Sequence, residues 1–189
     1  MKKKWFALLL AAVVLTASTS ALAATESKTT RDLTRTVETK TESGQSIPAL
    51  IDPGVELSAG AETQLEALKS FVAQKKNAVD FFPDETKSGI TALLPTGTDT
   101  SKLGLSEFIE LTIGTYDASY GDVVSTLQFA TSFTADQTVV VVIGYEASDG
   151  TMVWQALETT VVDGNLRIVF PAELMEKLGS NAVLAVLSD

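Results

Sequence analysis

Any chemistry in this 189-residue chain has to be built from acids, hydroxyls and lysines, because it contains no cysteine and no histidine. Those absences exclude Ser-His-Asp and Cys-His nucleophile systems and remove the usual nitrogen and sulfur ligands of zinc. Serine–lysine acyl transfer is excluded as well. Its nucleophile needs Ser-x-x-Lys, so that one helical turn brings the amine beside the hydroxyl, and that spacing is absent; Ser101-Lys102 and Lys87-Ser88-Gly89 do not supply it. Three carboxylate pairs lie close in sequence: Glu107 with Glu110, Asp117 with Asp122, and Glu146 with Asp149. A glycosidase holds two such groups about 5 to 9 Å apart across a cleft, so a small carboxylate-based hydrolase is the one enzymatic reading left open. Closeness along the chain does not create that geometry. Solvated strand ends and turns are the expected places for these acids, and no catalytic residue is assigned.

The candidate ligand-binding residues are Tyr116, Asp117 and Tyr120. Two rings beside an acid in one loop offer flat apolar faces and a charged acceptor, a combination suited to stacking on sugars. The other role open to the rings is packing against a sheet edge. Ca²⁺ is the cofactor that hard oxygen ligands would suit, if Asp117, Asp122, Asp136 and Asp149 met at one end of a sheet. No Asp-x-Asp-x-Asp-Gly loop is present, and no metal ligand is assigned. Leu94-Pro95-Thr96-Gly97 lacks the residue that a wall-sorting signal places between Pro and Thr, and it lies in mid-chain, so it reads as a turn. No N-glycosylation sequon occurs.

The N-terminus says where these residues act. Lys2, Lys3 and Lys4 precede an unbroken apolar run from Trp5 to Leu15, well short of the roughly twenty residues that span a bilayer. Ala21-Leu22-Ala23 is the small-x-small pattern that a signal peptidase accepts, so residues 1–23 read as a signal peptide. Cleavage before Ala24 leaves 166 residues, with 11 basic against 24 acidic side chains and a net charge of −13. Beyond Leu103, twelve acids face only Arg167 and Lys177. Such a surface repels phosphate backbones and anionic headgroups. The expected partner is therefore an extracellular protein or glycan, not nucleic acid, and the mature form is not membrane-embedded. It is released, or held at the envelope by non-covalent contacts. Without cysteine there is neither a disulfide framework nor a lipoprotein attachment site, so the core alone must stabilise the fold.

The elements that position these side chains follow from periodicity. Residues 24–56 read as a Thr-rich flexible stem: seven threonines fall between Thr25 and Thr41, where Leu33 and Val37 are the only apolar side chains. So little apolar surface does not offset the entropy of ordering. The alternation Leu33, Arg35, Val37, Thr39 is alternatively an edge strand. Residues 57–104 read as a helix and loop segment. Ser58 is the N-cap, and Ala61, Leu65, Leu68 and Val72 form one apolar stripe, widened by Phe71. Lys75 and Lys76 fall toward the C-terminal end, where the helix dipole favours them. Pro83 prevents continuation, and a loop with Gly89, Pro95 and Gly97 follows.

Residues 105–189 read as an antiparallel β domain. Six strands are expected, over Ile109–Ile113, Val123–Phe133, Thr138–Tyr145, Met152–Val162, Leu166–Phe170 and Val183–Leu187. Thr138 to Tyr145 is apolar and β-branched, as in a central strand buried on both faces. Asp149-Gly150 and Asp163-Gly164 are hairpin signals. A short helix from Pro171 to Leu178 stops at Gly179.

The succession from Phe108 to Ser188 resembles an immunoglobulin-like β-sandwich, with short strands, tight turns and a small helical crossing before the last strand. The phrase from Val153-Trp154 through Asp163-Gly164-Asn165-Leu166 to Val169-Phe170-Pro171 resembles uncharacterised secreted proteins of Gram-positive anaerobes, in which such a domain ends the chain. The resemblance implies an extracellular module and transfers no site; the cysteine pair and tyrosine corner of antibody domains are missing.

The expected fold is thus mainly β with one long helix (α+β): an antiparallel immunoglobulin-like β-sandwich preceded by a helix. The alternative is a cystatin-like curved sheet around the helix, with Leu65, Leu68 and Val72 covering the sheet. The expected function is a secreted non-catalytic binding or adhesion module, with an exported structural or assembly subunit as the second reading. N-terminal sequencing of the exported protein should begin at Ala24; a chain still carrying Lys2 to Lys4 would refute export with cleavage.

Overall fold

The structure, a computed structural model, describes residues 34–189; the signal segment and the start of the expected stem lie outside the described residues. Two antiparallel sheets carry the fold. One has four strands, in the order β1 (Arg35–Thr41), β4 (Val123–Gln128), β8 (Asn165–Phe170) and β7 (Thr159–Val162). The other has five, in the order β2 (Ile51–Pro53), β3 (Gly104–Ile113), β9 (Asn181–Ser188), β5 (Val139–Glu146) and β6 (Met152–Leu157). The helices are α1 (Ala59–Ala73), α2 (Asp84–Leu93) and α3 (Ala172–Met175).

Strands β5 and β9 are apolar at nearly every position, so side chains leaving either face of their sheet need cover. On one face Ile109, Leu111, Ile143 and Leu184 meet Leu127, Leu166, Ile168 and Phe170 of the four-stranded sheet. On the other, Phe108, Val140, Val142 and Ala185 meet Leu65, Leu68, Val79, Phe82 and Ile90 of the helical segment. The molecule therefore has three layers. Both expected architectures hold a part of this. The sheets face each other as in a sandwich, while Leu65 and Leu68 cover a sheet face as the alternative required. A single curved sheet is not formed.

Helix α1 begins where Ser58 marks it: the Ser58 side chain accepts a hydrogen bond from the Ala61 N–H. A second anchor comes from the sheet. Glu110 of β3 points toward the helices, is 9 % exposed, and its Oε2 accepts the Ser58 N–H at 2.6 Å. A carboxylate at a helix N-terminus gains from the unpaired N–H groups and the dipole together. The helix ends at Ala73, so Lys75 and Lys76 lie beyond it rather than in its last turn; Lys75 turns the chain at φ 60, and Lys76 sits over the Phe71 ring.

Residues 84–93, expected as part of a loop, form α2 instead. Pro83 precedes it, Asp84 and Glu85 occupy its first turn, and Thr86 and Ile90 are buried four residues apart. The Thr86 hydroxyl donates to the Trp154 carbonyl at 2.7 Å, which helps cover the outer edge of β6. Two inward side chains and an internal Gly89 made too faint a stripe for the helical period to be read.

Within the described part of the expected stem, the chain is ordered into strands, with β1 in the edge position that the alternation through Arg35, Val37 and Thr39 offered as the alternative. β1 pairs with β4, and β2 with β3. The threonines that suggested a stem are part of the reason: Thr39 is buried against Ser125, their hydroxyls 3.0 Å apart, and Thr36 donates to the Ile51 carbonyl at 2.7 Å. β-Branched side chains suit the pleat, and their hydroxyls find partners within the sheet, as Thr39 does, or in the other sheet, as Thr36 does. Met152–Val162, expected as one strand, divides at Glu158 into β6 and β7, which belong to different sheets. The Asp163-Gly164 turn has φ 50 and 80, while of Asp149 and Gly150 only Gly150 is positive, at φ 81.

Gly144 of β5 lies opposite Trp154 of β6. A Cβ there would come within 2.5 Å of the indole, which is held edge-on by Phe81 and Phe82. Gly144→Ala should therefore destabilise the fold by about 1–3 kcal/mol through overpacking and shift the Trp154 emission to the red. Thermal denaturation followed by fluorescence measures both; unchanged stability and emission would show that the ring yields freely.

Candidate functional site

The two sheets share an end where β3 stops and β4 and β9 begin. An open cleft of about 580 Å³ lies there. One lip is the chain leaving β3, with Ile113, Thr115 and Tyr116; the other is the chain from α3 to β9, with Met175, Glu176, Leu178 and Ser180. The Ile113 N–H donates to the Ser180 carbonyl at 2.8 Å, tying the lips at their base. Gly114 makes the next turn: its N–H donates to Leu50 O at 2.8 Å, and a Cβ would lie 2.8 Å from the Ala49 carbonyl. Only glycine lets the two backbones approach so closely.

Tyr116 is placed by the short turn that follows. Asp117 accepts the Ser119 N–H at 2.8 Å and caps a 3-10 turn over Ala118–Tyr120. Gly121, at φ 63, ends the turn, and the Tyr116 hydroxyl donates to its carbonyl at 2.8 Å. The Tyr116 and Tyr120 rings pack edge to face, 6.0 Å between centroids and 78° between planes. The opposite lip is held by Asp122, which accepts the Ala172 N–H at 2.8 Å and so fixes the start of α3.

Of the three residues singled out from sequence, Tyr116 alone lines the cleft. Tyr120 packs against it and against the core, half-buried; Asp117 is exposed and committed to its turn. Packing, the other role weighed for the rings, accounts for Tyr120 and for part of Tyr116. Met175, Glu176, Leu178 and Ser180 were missed. Pro171 and Gly179 marked the short helix beside them, but no periodic signal showed that it would face the Tyr116 loop.

The remaining acids do not assemble. Strand alternation sends Glu107 and Glu110 to opposite faces of β3, with Glu110 bound to Ser58. Asp149 is taken up by the N–H and hydroxyl of Thr151 at 3.0 and 2.6 Å. Asp136 lies in the β4–β5 connection, at the far end of the sheets from Asp117 and Asp122. Among the described residues, no group of three or more acidic side chains is placed to hold a metal ion. No described helix is long and apolar enough to cross a membrane.

Chemically, the cleft mixes hydroxyls from Thr115 and Ser180 and one carboxylate, Glu176, with the Tyr116 ring and the half-buried Leu178; Ile113 and Met175 lie buried beneath. Its volume falls within the roughly 300–1,000 Å³ of small-ligand pockets. Burial holds the Tyr116 phenol above its ordinary value, and the negative charges of Glu176, Asp122 and Asp117 push it further in the same direction. Asp117 is held below the usual carboxylate range by hydrogen bonds from the Ser119 side chain and backbone. No protein-family model, curated protein or solved structure matches this chain.

Tyr116 should titrate above 10.0, the ordinary phenol value, and Glu176→Gln should bring it down. Because the folded protein holds this proton more tightly than the unfolded chain, the stability it contributes is complete below the unfolded value. It is lost as pH rises through the folded one. Tyrosinate absorbance of the protein and of its Tyr116→Phe variant isolates the group; a titration at the ordinary value would refute the negative surroundings.

Proposed function

We propose that the protein is a secreted, non-catalytic binding module of immunoglobulin-like build, with its ligand seated between the β3–β4 loop and the α3–β9 loop. The observation that carries this reading is the cleft: open, with an aromatic ring on one wall among polar groups, and framed by loops at the end of two packed sheets. Binding sites collect where a rigid scaffold presents loops in this way.

The immunoglobulin-like part of the reading rests on strand order. β1-β4-β8-β7 corresponds to A-B-E-D, and β3-β9-β5-β6 to G-F-C-C′. All strands from B to F then follow in chain order. The departure is at G, whose place is taken by β3, a strand that precedes B instead of following F. In this correspondence the cleft lies at the end opposite the B–C loop, away from the end that antibody variable domains use.

One observation favours assembly as a second reading. Three of the four sheet edges carry protection of the usual kinds: a register shift in β1 with residues 45–47 bonded along it, the brevity of β2 with Pro53 at its end, and α2 over β6. β7, Thr-Thr-Val-Val, is uncharged, and Val162 is 43 % exposed.

The two readings separate in one experiment. Retention of the exported protein on envelope fractions should fall to the level of an equally acidic control when Tyr116 and Tyr120 are both changed to Ser, and should survive Val162→Lys. Concentration-dependent self-association abolished by Val162→Lys, with retention unaffected by the tyrosines, would replace the binding reading with the assembly one.

A further inference from the structure

Resting on the reading of the cleft as the binding site, we infer that its occupant is an ammonium group on an apolar stem: a lysine side chain presented by a peptide partner. Leu178, half-buried among the lining residues, offers a hydrocarbon stem an apolar surface, with Ile113 and Met175 buried beneath. Glu176 is the one charged side chain among the lining residues, and it is exposed at the lip. Tyr116 supplies an aromatic wall beside it.

The electrostatic surroundings have one sign. Glu176, Asp122 and Asp117 all act on the Tyr116 phenol in the same direction. Asp117 and Asp122 hold their positions by accepting backbone N–H groups, and the hydrogen bonds from Ser119 keep the Asp117 carboxyl below the usual carboxylate range. Lys177 is exposed on the chain beyond α3 and does not line the cleft. An anion is repelled here, and a neutral group leaves the negative potential unused. An ammonium gains from the carboxylate and from the ring together. Lysine fits because it buries its methylenes while keeping its charge at the mouth.

The test is an amide NMR titration of the exported protein with N-acetyl-lysine methylamide and with its norleucine counterpart, which keeps an apolar stem and lacks the charge. The lysine probe should shift resonances of residues 113–118 and 175–180 and bind about three- to tenfold more tightly than norleucine. Glu176→Gln should remove most of that difference, while Glu62→Gln, exposed on α1 away from the cleft, should leave it unchanged. Glu176 is exposed, so a melting curve suffices to show that the variant folds. Equal binding of both probes in the cleft would overturn the cationic ligand and leave the cleft reading standing. Lysine-induced shifts spread over the acidic surface and indifferent to Glu176→Gln would overturn it as well. No cleft shift with either probe, with envelope retention independent of Tyr116, would overturn both.

Discussion

The rest of the structure depends on one sheet that is apolar on both faces. β9 is buried at every position from Ala182 to Ser188, and β5 from Val140 to Tyr145. Fully burying a Val, Leu or Ile side chain is worth about 1.5–3 kcal/mol, so neither face of these strands tolerates water. The four-stranded sheet covers one side and the helical segment the other. Without disulfides, this double burial is the principal source of stability. It also explains why residues 57–104 cannot act as a detachable neighbour. Their apolar stripe and the outer face of the sheet are two halves of one core.

Polar groups inside such a core have to be satisfied locally. Glu110 is the informative case, since its carboxylate faces the helical layer and would be costly there without a partner. The Ser58 N–H at the start of α1 supplies one, so the same residue satisfies a buried charge and fixes where the helix begins. Thr86 does similar service for the Trp154 carbonyl on β6, and Thr39 with Ser125 form a buried hydroxyl pair within the four-stranded sheet. Among the described residues no buried side-chain nitrogen or oxygen lacks a hydrogen-bond partner.

The cleft inherits its rigidity from this arrangement. Its two lips leave β3 and enter β9, neighbouring strands paired along almost their whole length. The Ile113–Ser180 bond continues that pairing to the base of the opening. Asp117 and Asp122 are spent on holding the lips, through the Ser119 turn and the first turn of α3. They still set the sign of the local field. Glu176 stands exposed at the lip.

Local signals with a short physical range were legible in the residues themselves. Ser58 with the stripe Ala61, Leu65, Leu68 marked α1; period two marked β3 and β4; β-branched runs marked β5 and β9; Asp163-Gly164 marked the β7–β8 turn. Each depends on neighbours within a few positions, which is what a sequence displays. Missing cysteine and histidine likewise excluded whole chemistries before any fold was known. Tertiary structure alone decided the rest. It decided the Thr-rich segment after residue 34 for the edge strand β1 rather than a flexible stem, because β4 offers a ladder and Ser125 a hydroxyl partner. It split Met152–Val162 between two sheets, because a change of layer leaves no mark on alternation. It also placed Met175, Glu176 and Leu178 opposite Tyr116, a juxtaposition of residues about sixty positions apart. The pairing of β3 with β9 brings those segments together, and no local pattern encodes which strands will pair.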